Sequence, residues 1–183
     1  MTHDELVKRA FTWLKNNKRC SIVASELVTG GMETPDVIGW NGWESTLVEA
    51  KISVSDFRAD QKKIFRMAGR GMGIRRYYIV PFELKEKVIP LVPEKWGLLL
   101  CKEGRKGLVF EKGSMLFEND KANEILYLSS VIRRIAMRDE PLAGINVRCY
   151  TYQVENEPRA ELFIDVDQRQ QTTLDVGPEM EDR

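Results

Sequence analysis

The chain predicts an α/β fold built on a mixed β-sheet, and three observations point there. The first sixteen residues space their apolar side chains along one helix face. Short, partly alternating runs follow, two of them joined by a tight turn. A helical segment then separates that hairpin from the next strand-like run, which is the interleaving of an α/β domain. With 183 residues, 43% of them hydrophobic, the expected organisation is one domain with a sizeable core plus a tail. The boundary is placed at residues 1–154 and 155–183.

The elements read in order as follows. Asp4 to Asn16 is an amphipathic helix, with Leu6, Val7, Ala10, Phe11 and Leu14 on one side. Ser21 to Val28 is a strand, and Gly30-Gly31 a turn. Asp36 to Trp40 and Glu44 to Ile52 are two strands joined at Asn41-Gly42, a strong hairpin signal. Ser55 is set to cap a helix running to about Ala68, with Asp56 in its first turn. Gly69, Gly71 and Gly73 loosen the chain into a loop. Arg75 to Val80 is a strand closed by Pro81, and a short helix spans Leu84 to Ile89. Gly97 to Lys102 and Gly107 to Lys112 pair through the turn Glu103-Gly104-Arg105. Asn119 to Arg138 is a long helix with Ile125, Leu128, Ile132 and Ile135 on one face. Val147 to Gln153 reads as a last main strand, and Phe163-Ile164 as the anchor of a further short one. Residues 155–183 read as an acidic, partly flexible tail.

Composition excludes several chemistries. The only histidine, His3, lies in an N-terminus expected to be mobile. Ser-His-Asp hydrolysis, Cys-His chemistry, histidine-based nucleases and zincins all need a well-placed imidazole. Cys20, Cys101 and Cys149 lie far apart, without a C-x-x-C pair, so neither a disulfide framework nor a zinc ribbon is expected. A reducing cytoplasm is the natural setting. No apolar run approaches the roughly 18 residues of a membrane span, and the polar start Met1-Thr2-His3-Asp4-Glu5 does not read as a signal peptide. A hydrolytic site would therefore rest on carboxylates, lysine and a hard metal ion.

Charge is uneven although it sums to zero. Residues 155–183 hold nine acidic and three basic side chains, whereas residues 51–76 hold eight basic and two acidic ones. A basic stretch beside an acidic site suits a polyanionic substrate. A solvated helix face is the alternative.

The acidic site is sought at Glu49-Ala50-Lys51, which sits in the apolar strand Thr46 to Ile52. Burying unpaired charge is costly, so Glu49 and Lys51 need each other or a metal ion. An Asn41-Gly42 turn makes paired residue numbers sum to 83 and sets Asp36 opposite Leu47. Asp36 then shares a face with Leu47, Glu49 and Lys51, diagonal to Glu49 at about 7–8 Å. Two carboxylates so placed can share Mg²⁺, with Mn²⁺ as a substitute. Val37, Val48, Ala50 and Ile52 would point to the core. The alternative is a buried salt-bridge network that holds the hairpin.

Pro35-Asp36 followed by Glu49-x-Lys51 resembles the PD-(D/E)xK nuclease superfamily. The run Glu49-x-Lys51-x-Ser53-x-x-Asp56-Phe57-x-x-Asp60-x-Lys62 resembles its MmcB-like DNA repair branch, as do Tyr77-Tyr78-Ile79-Val80-Pro81 and Trp96-Gly97-Leu98-Leu99. The resemblance implies a restriction-endonuclease-like mixed sheet flanked by helices, and Mg²⁺-dependent cleavage of DNA, less often RNA. It implies a third acidic ligand upstream, for which Glu26 stands. Asp36, Glu49 and Glu26 would hold the metal and Lys51 would serve the attacking water. Ser53, Asp56 and Asp60 would support Lys51 or Lys62 from behind. Lys62, Lys63, Arg66, Arg70, Arg75 and Arg76 are the candidate nucleic-acid contacts. Trp40 and Trp43 are expected as a packed pair across the turn, with base stacking as the alternative. A homodimer is in keeping with nucleases that cut both strands. A non-catalytic binding module on the same fold is the competing expectation.

Overall fold

The computed structural model describes residues 1–31, 33–67, 69–105, 107–136 and 146–149. The chain divides into two units, Met1–Tyr152 and Gln153–Arg183. The second unit lies outside the described residues, and with it the expected Phe163-Ile164 strand.

A seven-stranded mixed sheet forms the first unit. Its strands are β1 (Ile22–Ser25), β2 (Val37–Asn41), β3 (Glu44–Ala50), β4 (Arg75–Pro81), β5 (Gly97–Cys101), β6 (Leu108–Lys112) and β7 (Asn146–Cys149). They lie in the order β6-β5-β4-β3-β2-β1-β7. The three central strands, β3, β4 and β5, run parallel, and every other pairing is antiparallel. Helices cover both faces, so the central strands read as continuous apolar runs, such as Leu98-Leu99-Leu100.

One face packs under α1 (His3–Asn16), whose Leu6, Val7, Ala10, Trp13 and Leu14 meet Val23, Val37, Val48, Ala50, Ile79 and Leu99. A capping box fixes the start of α1: Thr2 accepts from the Glu5 N–H and Glu5 accepts from the Thr2 N–H. The opposite face packs under α2 (Val54–Asp60), α3 (Lys85–Val88) and α4 (Lys121–Ala136). Phe57, Val88, Tyr127 and Val131 there meet Ile38, Trp40, Leu47, Tyr78 and Leu100.

Several expectations need correction. The cap of α2 is Ser53, whose Oγ accepts from the Asp56 N–H at 3.1 Å, and not Ser55. That helix ends at Asp60, eight residues short of the expected Ala68, because Asp60 turns inward to buried cations. A 3₁₀ turn at Ile64–Arg66 follows. Strand β1 stops at Ser25, and Glu26 adopts a left-handed φ of +51°. On α4 the buried side is Glu124, Tyr127 and Val131, while Ile125 and Ile132 are exposed. The reason is Glu124 Oε1, which accepts from the Ser45 hydroxyl at 2.8 Å and the Gly73 N–H at 2.7 Å. Ile52 is exposed rather than core.

The hairpin turns one residue later than expected. Asn41 pairs with Glu44, so paired numbers sum to 85, and Gly42-Trp43 forms the turn. Gly42 has a φ of +58° and Trp43 does not enter that region, which is the requirement of a type II′ turn with glycine first. Trp43 is consequently 78% exposed while Trp40 is buried against Tyr127, so the two are not a packed pair. Trp40→Ala should cost about 3–5 kcal/mol by cavity formation. Trp43→Ala should stay within about 0.5 kcal/mol. Urea unfolding of both variants checks this, and equal costs would contradict the observed register.

Candidate active site

The register places the acidic pair. Continuing the β2–β3 ladder by one step beyond Val37↔Val48 sets Asp36 opposite Glu49. The expected partner was Leu47, but the two-unit change in the sum preserves parity, so Asp36 and Glu49 still share a face. At that point Asp36 has left the ladder. Its Oδ2 accepts from the Ala50 N–H at 2.8 Å, and its backbone carbonyl accepts from the Glu26 N–H at 3.1 Å. The cluster therefore lies at the carboxyl ends of the parallel strands, where α/β sheets commonly bind ligands.

Lys51 joins the carboxylates. Its Nζ lies 3.0 Å from Glu49 Oε2, 3.3 Å from Asp60 Oδ1 and 3.6 Å from Asp36 Oδ2. Arg66 closes the cluster from the other side. Its Nε and one Nη grip Asp60 in a two-pronged pair at 2.7 Å each, that Nη reaches Glu49 Oε2 at 2.9 Å, and the other Nη meets Glu33 Oε1 at 2.7 Å. Glu33 Oε2 in turn accepts from the Met72 N–H. Tyr78 donates to Asp60 Oδ2 at 3.0 Å, and Lys63 reaches Asp60 Oδ1 at 3.0 Å. Four carboxylates (Glu33, Asp36, Glu49, Asp60) thus face three cations (Lys51, Lys63, Arg66), which leaves a surplus of one negative charge when all four are ionised.

Glu49 Oε1 is the unmatched atom. It is buried and has no hydrogen-bond partner among the described residues. Leaving a buried charged acceptor unmet is costly, so this oxygen is suited to a cation or a water. A small divalent ion bound through one or two carboxylates plus waters fits that donor set.

Burial decides the protonation states. It pushes the Glu49 carboxyl up to about 7; Arg66 and Lys51 oppose that rise, while Asp36 and Asp60 reinforce it. Burial also works against the Lys51 charge, but Glu49, Asp36 and Asp60 together outweigh it and hold the ammonium above its ordinary pKa. Burial would likewise raise Asp60, yet Arg66 and Lys51 hold it well below the usual carboxylate range. Lys51 is thus a cation in this cluster, not a free base.

The structure brings together Asp36, Glu49, Lys51 and Asp60 of the expected set. Glu26 stands at the rim, 52% exposed. Ser53 acts through its cap, and no side-chain bond joins Asp56 to the cluster among the described residues. Two expected nucleic-acid contacts are corrected. Arg66 is buried in the ion network. Arg76 is fully buried and donates to the carbonyls of Gly73, Phe65, Met67 and Gly71, where it clamps the glycine loop. Arg75 is half-buried on Glu44 and the Ser114 carbonyl. Lys62 and Arg70 are exposed, as is Lys63 despite its bond to Asp60.

Three participants were missed. Glu33 carried no local signal, and Tyr78 entered only as part of the Tyr77-to-Pro81 strand, with no site role. His3, expected in a mobile end, sits in the capped first turn of α1 with Nε2 3.4 Å from Asp36 Oδ2.

No protein-family model matches the chain, and no curated protein matches it. Among solved structures, a protein of unknown function from Silicibacter pomeroyi is similar, with a TM-score of 0.53 and 19% identity. The match covers 76% of this chain and 93% of that one. At this identity the likeness shows the fold alone, an α/β mixed sheet flanked by helices. Among the described residues no helix is long and apolar enough to cross a membrane.

The pKa directions give a stability profile for the metal-free chain. Glu49 holds its proton more tightly when folded than at its ordinary 4.5. Its contribution is complete below about pH 4.5 and is lost as pH rises toward 7. Asp60 acts oppositely: its contribution is present at neutral pH and is lost in acid below its ordinary 3.8. Urea unfolding should show stability declining between pH 4.5 and 7, and Glu49→Gln should flatten that decline. An unchanged slope in the variant would contradict the assignment.

Proposed function

We propose that the chain is a metal-dependent nuclease that hydrolyses phosphodiester bonds in DNA. The observation that carries this reading is that Asp36 and Glu49 both reach within 3.6 Å of Lys51 Nζ, with one buried Glu49 oxygen unmatched. It agrees with the resemblance of these positions to PD-(D/E)xK nucleases. Asp36 and Glu49 would hold Mg²⁺, or Mn²⁺ in its place, with Glu26 beside them. Such an ion, when bound, polarises the scissile phosphate and lowers the pKa of a bound water.

The protein's own groups supply the rest. In the metal-free chain the surrounding carboxylates favour the Lys51 ammonium, and as an ammonium it would orient the attacking water by its oxygen and stabilise charge building on the phosphate. Asp60 and Glu49 fix the ammonium, and Arg66 fixes both carboxylates. Both Asp60 oxygens and one Glu49 oxygen are bonded to these cations, which holds the shell in place. Exposed Lys62, Lys63 and Arg70 offer positive charge to a polyanion, with a salt-dependent contribution. The corresponding localisation is cytoplasmic.

A second reading takes the same network as purely structural, in a module that binds DNA or a protein without cutting. The engagement of Arg66 with three carboxylates favours it. RNA as substrate is a variant of the first reading.

The test is a cleavage panel of single-stranded, duplex, flapped and branched DNA plus RNA, with Mg²⁺ and Mn²⁺. Asp36→Ala and Lys51→Ala should each lower metal-dependent cleavage at least about 100-fold while circular dichroism stays that of the folded chain. Wild-type rates in either variant, or no cleavage of any substrate by the wild type, would overturn the nuclease reading.

A further inference from the structure

A cavity of about 350 Å³ lies against Arg66, and none of the roles given so far uses it. Trp96, Phe117, Met67 and Pro93 supply its apolar walls. Trp96 is only 1% exposed and stacks on Tyr78 at 4.3 Å, so it is a fixed wall. Phe117 meets Trp96 edge-on at 6.0 Å and is partly exposed, and Met67 is 65% exposed. These two are the accessible walls.

We propose that this cavity receives one unpaired base of the DNA strand that the site cuts, so that single-stranded or flapped DNA is preferred to intact duplex. The proposal names a substrate class for the nuclease reading and rests on it.

Position is the first argument. Arg66 and Lys51 share two oxygens. One Arg66 Nη lies 2.9 Å from Glu49 Oε2 and 2.7 Å from Asp60 Oδ1, and Lys51 Nζ lies 3.0 and 3.3 Å from the same two atoms. One wall of the cavity is therefore a single carboxylate away from the ammonium. A second link runs from Trp96 through the stacked Tyr78, whose hydroxyl donates to Asp60 Oδ2 at 3.0 Å. Gln61, which also lines the cavity, follows Asp60 directly in the chain.

The lining is the second argument. The volume is near the lower end for ligand pockets and suits one ring system. A ring entering it meets Phe117, Met67 and Pro93, and every base has a π-face that stacks. Gln61 gives its amide N–H to the Leu91 carbonyl, which leaves the amide oxygen to accept from a base edge. Lys95 and Glu94 add a donor and an acceptor at exposed positions. Lys62, next to Gln61, and Lys63 are exposed and offer charge to the strand's phosphates. A base paired within a duplex reaches such a cavity only by leaving the stack, and that is the source of the preference.

The test measures binding by the full chain, using fluorescence anisotropy at one fixed salt concentration, with EDTA to prevent cleavage. The probes are a labelled oligothymidylate, an abasic strand with the same number of phosphates, and a duplex of the same length. The wild type should hold the thymidylate about 5- to 100-fold tighter than the abasic strand, and tighter than the duplex. Met67→Ala and Phe117→Ala should each lower that ratio at least about threefold, with affinity for the abasic strand little changed. Phe117 also borders a second cavity, lined by Trp43, so Trp43→Ala is the control and should keep the ratio. The cavity assignment is overturned by equal affinity of the wild type for the thymidylate and abasic strands, by tighter binding of the duplex, by a ratio unchanged in Met67→Ala, or by one lost in Trp43→Ala. If any of these occurs while DNA is still cut with Mg²⁺, the nuclease reading stands. If the cavity variants behave as expected but no substrate is cut, the cavity stands as a base-binding site and the nuclease reading fails.

Discussion

The Glu49 carboxylate is the constraint on which the site depends. It is buried on a central strand and cannot be ionised there without partners. Lys51 comes from the same strand two residues on, so alternation alone brings it to the same face. Arg66 comes from beyond α2. To reach Glu49 it carries Asp60 and Glu33 with it, and that requirement ends α2 at Asp60 and turns the chain into a 3₁₀ segment. The loop that follows is then pinned by Arg76 on four backbone carbonyls. Charge burial, not helix propensity, shapes residues 60 to 76.

The same network explains why the site holds a defined geometry while leaving one buried oxygen unmatched. Asp60, Glu33 and one Glu49 oxygen are saturated by cations or N–H groups. Asp36, just outside the ladder, bonds the backbone of the strand it faces. What is left over is one Glu49 oxygen and the second Asp36 oxygen, beside a rim of His3 and Glu26. The purely structural reading leaves that remainder unused, whereas the proposed cation site would use it.

Much of this was legible in the sequence, and the limits have physical causes. Asp36, Glu49 and Lys51 could be set on one face because the side-chain period of two survives a turn shifted by one residue. The turn itself was misplaced because Asn-Gly suggests a type I′ hairpin, while Gly42 here fills the first position of a II′ turn. The strand order β3-β4-β5 follows from α2 and α3 acting as crossovers. What could not be read is long-range: Glu33 with Arg66, Tyr78 with Asp60, His3 with Asp36. Counting charge also misassigned Arg66 and Arg76, because it registers cations but not the buried carbonyls and carboxylates that claim them. On α4 the apolar pattern of Ile125 and Ile132 lost to Glu124, whose buried oxygen is held by Ser45 and Gly73.

The claim that Glu49 and Asp36 form an open cation site is tested most directly by a crystal structure of the wild-type chain grown with Mn²⁺, read by its anomalous signal. The account predicts one ion about 2.1–2.2 Å from Glu49 Oε1 and an Asp36 oxygen, with the Arg66–Asp60 pair intact. An ordered water at Glu49 Oε1, with no ion near Asp36 at saturating Mn²⁺, would contradict it.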